Sequence, residues 1–331
     1  MATLRTSIAL ATYQGERFLS QQLDSFVGQT RMPDELCISD DGSTDGTVDV
    51  LQSFASTAPF PVKLVANPKS GGVNKNFENA VTHCTGDVIL FSDQDDVWLP
   101  EHVESLAIPL EGNSAVLAAA SDSEYVDETL KLVGCTESKS NRFPTWLRDA
   151  TMRFPQNQFE LVLRHNMHNG HGMAFRRTLL PLLLPFTDMF VYDEWVLLLC
   201  AAAGYITYVP RPMTLHRQHR EQSNKSRSKD LQLWATQSRN VSADQERVQE
   251  EKWNELLTRV HAHRDLLRDF NSTEYSLKQK YDFVVRRRQT RRRGLPARLV
   301  MTLSELISGR YHRLGRGFLT FARDLYGVRQ H

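Results

Sequence analysis

Apolar and polar positions along the first 110 residues alternate between two periods. Ser7-Ile8-Ala9-Leu10-Ala11-Thr12 is a short apolar run that reads as a buried strand. Glu16 to Phe26 follows, with Phe18, Leu19, Leu23 and Phe26 at helical spacing. The pair recurs as Glu35 to Ser39 then Thr47 to Phe54, Val62 to Ala66 then Asn74 to Val81, and Val88 to Phe91 then Pro100 to Leu110. Strand alternating with helix predicts an α/β fold, a mostly parallel sheet flanked by helices. Further on, Leu117 to Ser121 reads as a strand, and regularity fades through Ser138 to Pro155. Phe159 to Arg164 reads as a helix, Gly172 to Arg176 as a strand and Tyr192 to Ala203 as a buried helix. Tyr205 to Val209 and Met213 to His216 read as two short strands. From Lys225 to Phe270 the chain is polar and helix-prone, and a basic tail follows. These shifts suggest a first domain over residues 1–220 and a helical region over 221–331.

Composition narrows this only modestly. The chain has 331 residues, enough for one large or two modest domains, and 40% are hydrophobic, enough for a real core. Forty Lys and Arg against 39 Asp and Glu leave a net charge of +1, so the molecule as a whole carries no nucleic-acid-binding signature. Cys37, Cys84, Cys135 and Cys200 are scattered without a C-x-x-C pair, which favours reduced thiols and a cytoplasmic setting. The N-terminus lacks a signal-peptide layout. The longest apolar stretch, Trp195 to Ala203, falls short of the ~20 residues that a membrane span needs.

In parallel sheets, ligands collect at the carboxyl ends of strands. Asp40-Asp41 and Asp93-Gln94-Asp95-Asp96 each follow a predicted strand, and the second group puts three carboxylates within four positions. Like charges held this close repel, so a divalent cation is the simplest expected partner; a solvated acidic turn capping the next helix is the plainer alternative. No G-x-G-x-x-G or G-x-x-x-x-G-K-[ST] loop is present. Asp41 to Gln52 mimics a calcium loop, but Ser43 and Gln52 occupy ligand positions, and Asp45 reads better as a cap for the following helix. His165, His168 and His171, together with His216 and His219, could assemble a zinc site; however, Asn169-Gly170 interrupts any helix aligning the first three, and polar loop histidines are the plainer reading.

Four segments carry a resemblance: "SIALATYQGERFLSQQLDSFVGQT", "ISDDGSTDGTVDVL", "NKNFENAV" and "GDVILFSDQDDVWLPEHV". In wording, order and spacing they resemble the successive motifs of glycosyltransferase family 2, inverting enzymes with a GT-A fold. The resemblance is dense over roughly the first 110 residues and sparser to about residue 220. More narrowly, "SDQDDVW", "VYDEW" and "HRQH" resemble bacterial rhamnosyltransferase-like members that build surface polysaccharides.

The resemblance implies a nucleotide-binding half over residues 1–115 and an acceptor half over 116–220. It implies a dTDP- or UDP-linked sugar donor, a glycan or lipid-linked acceptor, and a divalent cation, Mg2+ or Mn2+, on the leaving diphosphate. Asp93 and Asp95 form the D-x-D pair, with Asp95 on the metal and Asp93 on the ribose or metal-bound water; Asp96 is left to cap the next helix. His219 supplies a further metal or phosphate contact. Ala11, Thr12, Tyr13, Glu16, Asp40 and Asp41 line the base and ribose pocket, and Asn76 sits after the permissive Gly71-Gly72. Asp193 is the implied base, with Glu194 competing, because Tyr192 stands where the family often has Glu or His. Both acids also suit a helix N-terminus for purely structural reasons. His171 and Gly172 face sugar and acceptor, and Trp195 either stacks on a sugar or fills core. A nucleotide-sugar-binding module without chemistry and a zinc hydrolase built on the histidines are the alternative classes.

Arg286 to Arg288 and Arg291 to Arg293 precede apolar Leu299, Val300, Leu303, Leu306 and Ile307, then Phe318, Leu319 and Phe321. A basic cluster beside an amphipathic helix suits the anionic inner face of a membrane. Nucleic acid or a solvated helical face are the rival uses of such a run.

Overall fold

A computed structural model describes residues 3–67, 71–136, 158–164, 170–219, 243–315 and 317–326. Ser138 to Pro155, His165 and His168 lie outside the described residues. The chain divides into two compact units, residues 1–162 with 166–220, and residues 163–165 with 221–331.

The first unit begins with β1 (Thr6–Thr12), α1 (Glu16–Val27), β2 (Glu35–Asp40), α2 (Thr47–Thr57), β3 (Val62–Ala66), α3 (Gly72–Thr82) and β4 (Val88–Asp93). These four strands are parallel in the order β3-β2-β1-β4. β1 is buried along its whole length, as expected of a strand paired on both edges and covered on both faces. Beneath it, α1 turns Phe18, Leu19, Leu23 and Phe26 into the core with Leu51 and Leu106. Register sets where the strand ends fall: Thr12 pairs with Asp40 and Ala11 with Asp93, so the loops after β1, β2 and β4 leave the sheet at one level.

After β5 (Val97–Trp98) and α4 (His102–Gly112), the sheet continues through β6 (Val116–Val126), with β7 (Leu132–Thr136) on its edge, then α5 (Gln158–Arg164), β8 (Met173–Arg176), α6 (Leu180–Leu183), α7 (Tyr192–Ala203) and β9 (Tyr205–Arg217). β8 lies antiparallel between β4 and β6, while β6 and β9 run parallel. The segment expected as two short strands is one: β9 passes through Pro210 and Pro212, and its register with β6 shifts between Ser121 and Asp122. Proline removes a ladder donor without forbidding a bulged strand, which is why the sequence pattern broke there while the pairing did not. β6 likewise runs beyond Ser121 through Asp122-Ser123-Glu124, polar residues that the apolar pattern did not include.

The second unit is helical: α8 (Ala243–Ala262), α9 (Phe270–Arg291), α10 (Leu295–Ile307), α11 (Arg310–Leu314) and α12 (Phe318–Tyr326). Asp269 caps α9 by accepting from the Ser272 amide at 3.0 Å. The arginine runs, expected to meet lipid headgroups, are largely satisfied within the unit. Arg287 and Arg291 both fork onto the Asp324 carboxylate, which is 0% exposed and also accepts from the Tyr311 hydroxyl. Arg288 reaches Glu250 at 2.6 Å and Arg286 reaches Glu305 at 3.3 Å. Arg292 and Arg293 remain exposed. Among the described residues no helix is long and apolar enough to cross a membrane.

Candidate active site

The strand ends of the first unit are tied together by side chains before any ligand is considered. Thr12 at the end of β1 donates its hydroxyl to Asp40 at 2.7 Å, and Asp40 also accepts from the Gly42 and Ser43 amides and the Ser43 hydroxyl. These four donors match the roughly four lone-pair directions of a carboxylate, so Asp40 is filled by the loop it holds. Asp41 accepts three, from the Asn67 side chain at 2.7 Å and from the Gly71 and Gly72 amides, which anchors the start of α3 and leaves one acceptor direction over. Gly72 takes φ +78, a left-handed conformation that L side chains rarely adopt.

Next to these, Asn76 donates to the Thr12 carbonyl at 2.9 Å while its own buried Oδ1 has no hydrogen-bond partner among the described residues. Gln94 grips the Tyr13 backbone in both directions, accepting from its amide and donating to its carbonyl, each at 2.8 Å. A Cβ on Gly15 would lie 2.3 Å from the Gln94 Oε1, so glycine is what admits this clasp. The Tyr13 ring itself is 56% exposed. Glu16 points elsewhere, accepting from the Gly46 amide at 3.0 Å, and Ala11 contributes its place opposite Asp93.

The acid cluster occupies the end of β4 and the turn after it. Asp93 is pushed up to about 7, first by burial and then by Asp95 and Asp193; Tyr192 donates its hydroxyl to it at 3.4 Å. Asp95 lies 2.8 Å from Nε2 of His219. Asp96 is 1% exposed and held well above the carboxylate range by burial, reinforced by Asp95 and Asp93. It does not cap the next helix: α4 starts at His102 with no side-chain cap, and Asp96 Oδ1 instead accepts from the Arg217 amide at 3.0 Å. Oδ2 of Asp96 has no hydrogen-bond partner among the described residues and sits 3.5 Å from Nδ1 of His171.

Arg217 is buried beneath this turn, over the Phe18 ring, and its guanidinium donates to the Asp95 and Glu128 carbonyls and to Gln21. Its guanidinium hydrogen bonds go to carbonyl and amide oxygens, while its charge lies close enough to Asp95 and Asp96 to offset part of their mutual repulsion. His171, also buried, holds the Ser123 hydroxyl at 2.7 Å through Nε2, and its ring nitrogens lie 3.1 and 3.2 Å from Nδ1 of His216. Asp96, His171 and His216 bring ligand atoms within 4.8 Å of one another, a set able to hold a metal ion. Gly172 packs against Ser121, where a Cβ would come within 3.1 Å of the hydroxyl.

The opposite wall is the start of α7. Asp193 is buried, with Oδ2 accepting from the Gly170 amide at 3.2 Å and Oδ1 from the Glu194 amide at 2.6 Å. Tyr192 stacks on Phe77 with ring centroids 4.0 Å apart, which wedges α7 against α3. Glu194 is half-buried. Trp195, expected on a sugar face or in the core, is 0% exposed, donates to the Leu183 carbonyl at 2.8 Å and packs near Phe190. It fills core and offers no ring face to a ligand. Gln94, Asp96 and Arg217 are the residues that sequence reasoning passed over or read differently, while His216, named there as a zinc candidate with His171, does meet it. Only the "DQDD" and "HRQH" strings pointed toward them, and their contacts reach across 45 to 196 positions of chain.

The family described as Glycosyl transferase family 2 matches residues 7–181, more than half of the chain. The chain belongs to glycosyl transferase family 2. Among similar proteins, an uncharacterized glycosyltransferase of Nostoc is 24% identical over 227 residues, which is 65% of this chain and 65% of that one. The dTDP-rhamnosyl transferase RfbG of Shigella flexneri is 34% identical over 110 residues, 32% of this chain and 38% of that protein. Among solved structures, S. aureus TarS 1-349 in complex with UDP-GlcNAc aligns over 97% of this chain and 89% of its own, with a TM-score of 0.59 at 16% identity. A mannosyltransferase from Pyrobaculum calidifontis in complex with GDP-Man and Mn2+ aligns over 98% and 86%, with a TM-score of 0.54 at 16% identity. At these identities the structures establish the GT-A glycosyltransferase fold of this family 2 member.

Proposed function

We propose that this family 2 protein is an inverting, cation-dependent glycosyltransferase that moves a sugar from a dTDP- or UDP-linked donor to a glycan or lipid-linked acceptor of bacterial surface polysaccharide. Rhamnose is the sugar that the narrower resemblance favours. The observation carrying this reading is the closely spaced acid pair Asp93 and Asp95, with His219 2.8 Å from Asp95, at the level where the loops of β1 and β2 also emerge. Two carboxylates and an imidazole suit Mn2+ or Mg2+. Such an ion would neutralise the charge that grows on the leaving diphosphate.

The protein's own groups do the rest. The exposed Tyr13 ring covers the base, Asp41 accepts the imide N–H of uracil or thymine with its remaining lone pair, and Oδ1 of Asn76 faces the ribose. Asp193, oriented by the Gly170 amide, takes the proton of the acceptor hydroxyl as that oxygen attacks the anomeric carbon. Asp193→Asn should retain donor binding and lose ~10²- to 10⁴-fold in turnover. Unchanged turnover moves the base to Glu194. Donor affinity with neither transfer nor slow donor hydrolysis in the parent protein makes it a binding module instead.

The second unit supports work at the cytoplasmic face of an anionic membrane. On α10, Leu295, Val300 and Ile307 are 70%, 68% and 86% exposed, and Leu299 and Leu303 extend the same apolar stripe. From Arg286 to Tyr326 the chain carries eleven arginines against two acids, Glu305 and Asp324, both buried and paired. This excess favours a bilayer of anionic lipid over a second, equally basic copy of the chain. Val300→Glu with Ile307→Glu should abolish co-sedimentation of the full chain with phosphatidylglycerol vesicles. Sedimentation as strong as that of the parent chain removes the membrane surface, and a monomeric variant from an oligomeric parent marks the stripe as a self-interface.

A further inference from the structure

Next to Asp93, whose Oδ2 lies 3.9 Å from Nδ1 of His171, is a second group of ligands that the reaction above does not use. Asp96 comes from the turn after β4, His171 from the loop before β8 and His216 from the end of β9, segments remote in sequence and brought together by sheet pairing. Three features distinguish the group from an ordinary polar core. Oδ2 of Asp96 is sealed from solvent with no donor among the described residues to satisfy it, a costly state for a carboxylate oxygen. The Nε2 of His171 lies 2.7 Å from the Ser123 hydroxyl, Nδ1 lies 3.5 Å from Asp96 Oδ2, and Nδ1 of His216 lies 3.1 Å from the one ring nitrogen and 3.2 Å from the other. A hydrogen bond on the far nitrogen is the usual way in which a ligating histidine is oriented. Finally, Nδ1 of His171 is 3.1 Å from Nδ1 of His216 and 3.5 Å from Oδ2 of Asp96. Ligand atoms of all three residues lie within 4.8 Å of one another, and a tetrahedral zinc ion with bonds of about 2.0–2.1 Å would draw them to about 3.3 Å.

We infer that Asp96, His171 and His216 form a second metal site, selective for zinc-class ions and adjoining the acid pair, with His171 Nδ1 3.9 Å from Asp93 Oδ2. Two imidazoles and one carboxylate suit Zn2+ or Co2+, whereas Mg2+ prefers oxygen ligands, so the two positions sort ions by donor type. The ion would pin the turn bearing Asp93 and Asp95 to β9 and to the loop before β8. Its role is therefore to position the acid pair. Neither the identity of the base nor that of the sugar bears on this second site.

The test is metal stoichiometry on the full chain, equilibrated with zinc and dialysed against buffer containing Mg2+. Elemental analysis should find about one zinc per chain in the parent protein and in Asp95→Asn, and at least tenfold less in His216→Ala and His216→Gln. Cobalt substitution of the parent protein should give the intense visible bands of a four-coordinate ion. That readout stands even if the His216 variants do not fold. No zinc retained by the parent protein, weak six-coordinate cobalt bands, or zinc lost from Asp95→Asn but kept by His216→Ala would each overturn the second site.

Discussion

Two runs of like charge, the acids at Asp93 to Asp96 and the arginines at Arg286 to Arg293, look alike as strings and are treated oppositely by the fold. In the helical unit the arginines meet counter-charges: Arg287 and Arg291 share the buried Asp324, Arg288 has Glu250 and Arg286 has Glu305. In the sheet unit the nearby cation Arg217 gives its guanidinium to carbonyl and amide oxygens, and burial with mutual repulsion pushes Asp93 and Asp96 up. A charge run is structural when the fold supplies its partner. It marks a site when the fold offsets the charge only in part, as His219 and Arg217 do here, because further stabilisation then has to come from outside.

The contrast breaks most visibly at Asp324. Asp324→Ala strands two arginines and should cost about 3–5 kcal/mol in the helical unit, the usual consequence of removing one side of a buried ion pair. Denaturant unfolding followed by far-UV CD checks it. The equivalent change in the acid cluster should go the other way. Asp93→Asn removes repulsion and, after allowance for solvent screening of a partly exposed group, should stabilise the cation-free protein by about 1 kcal/mol while abolishing any stabilisation by Mn2+.

The same asymmetry sets a pH dependence. The folded-state value of Asp93, about 7, lies above the ordinary 3.8, so the folded chain holds this proton more tightly than the unfolded one. Its contribution to stability is full below pH 4 and is lost as pH rises through 7. A cation replaces the proton, so the gain in melting temperature on adding Mn2+ should be larger at pH 8 than at pH 6; a gain that shrinks with rising pH would contradict the assignment. The smallest effect belongs to Arg292 and Arg293, which are exposed and make no ion pair among the described residues. Arg292→Glu with Arg293→Glu should leave stability within about 0.5 kcal/mol while weakening vesicle co-sedimentation.

Much of the fold was legible because β1 and β4 are nearly continuous apolar runs that are buried, β2 and β3 alternate with helices around them, and α1 shows its core face at plain helical spacing. The ends of β6 and β9 were not, since Asp122-Ser123-Glu124 and Pro210 break the pattern while long-range pairing preserves the strands. In the site, Asp93 and Asp95 stood out as a spaced pair at a strand end. Asp96 read as a cap because Asp does that job commonly; only its contact with the Arg217 amide, 121 positions away, reveals otherwise. Trp195 read as either ligand face or core for the same reason, and packing decides between the two. The arginine runs looked available because Asp324, 33 to 37 positions further on, is not visible as their partner until α12 folds back.

Calorimetric titration of UDP and dTDP into the full chain, with Mn2+ and with EDTA, tests the central claim most directly. Binding of one nucleotide that requires the cation, and that Asp95→Asn eliminates, is the predicted result. Affinity that is the same in EDTA, or undiminished in Asp95→Asn, would mean that the acids after β4 do not serve a cation-bound diphosphate.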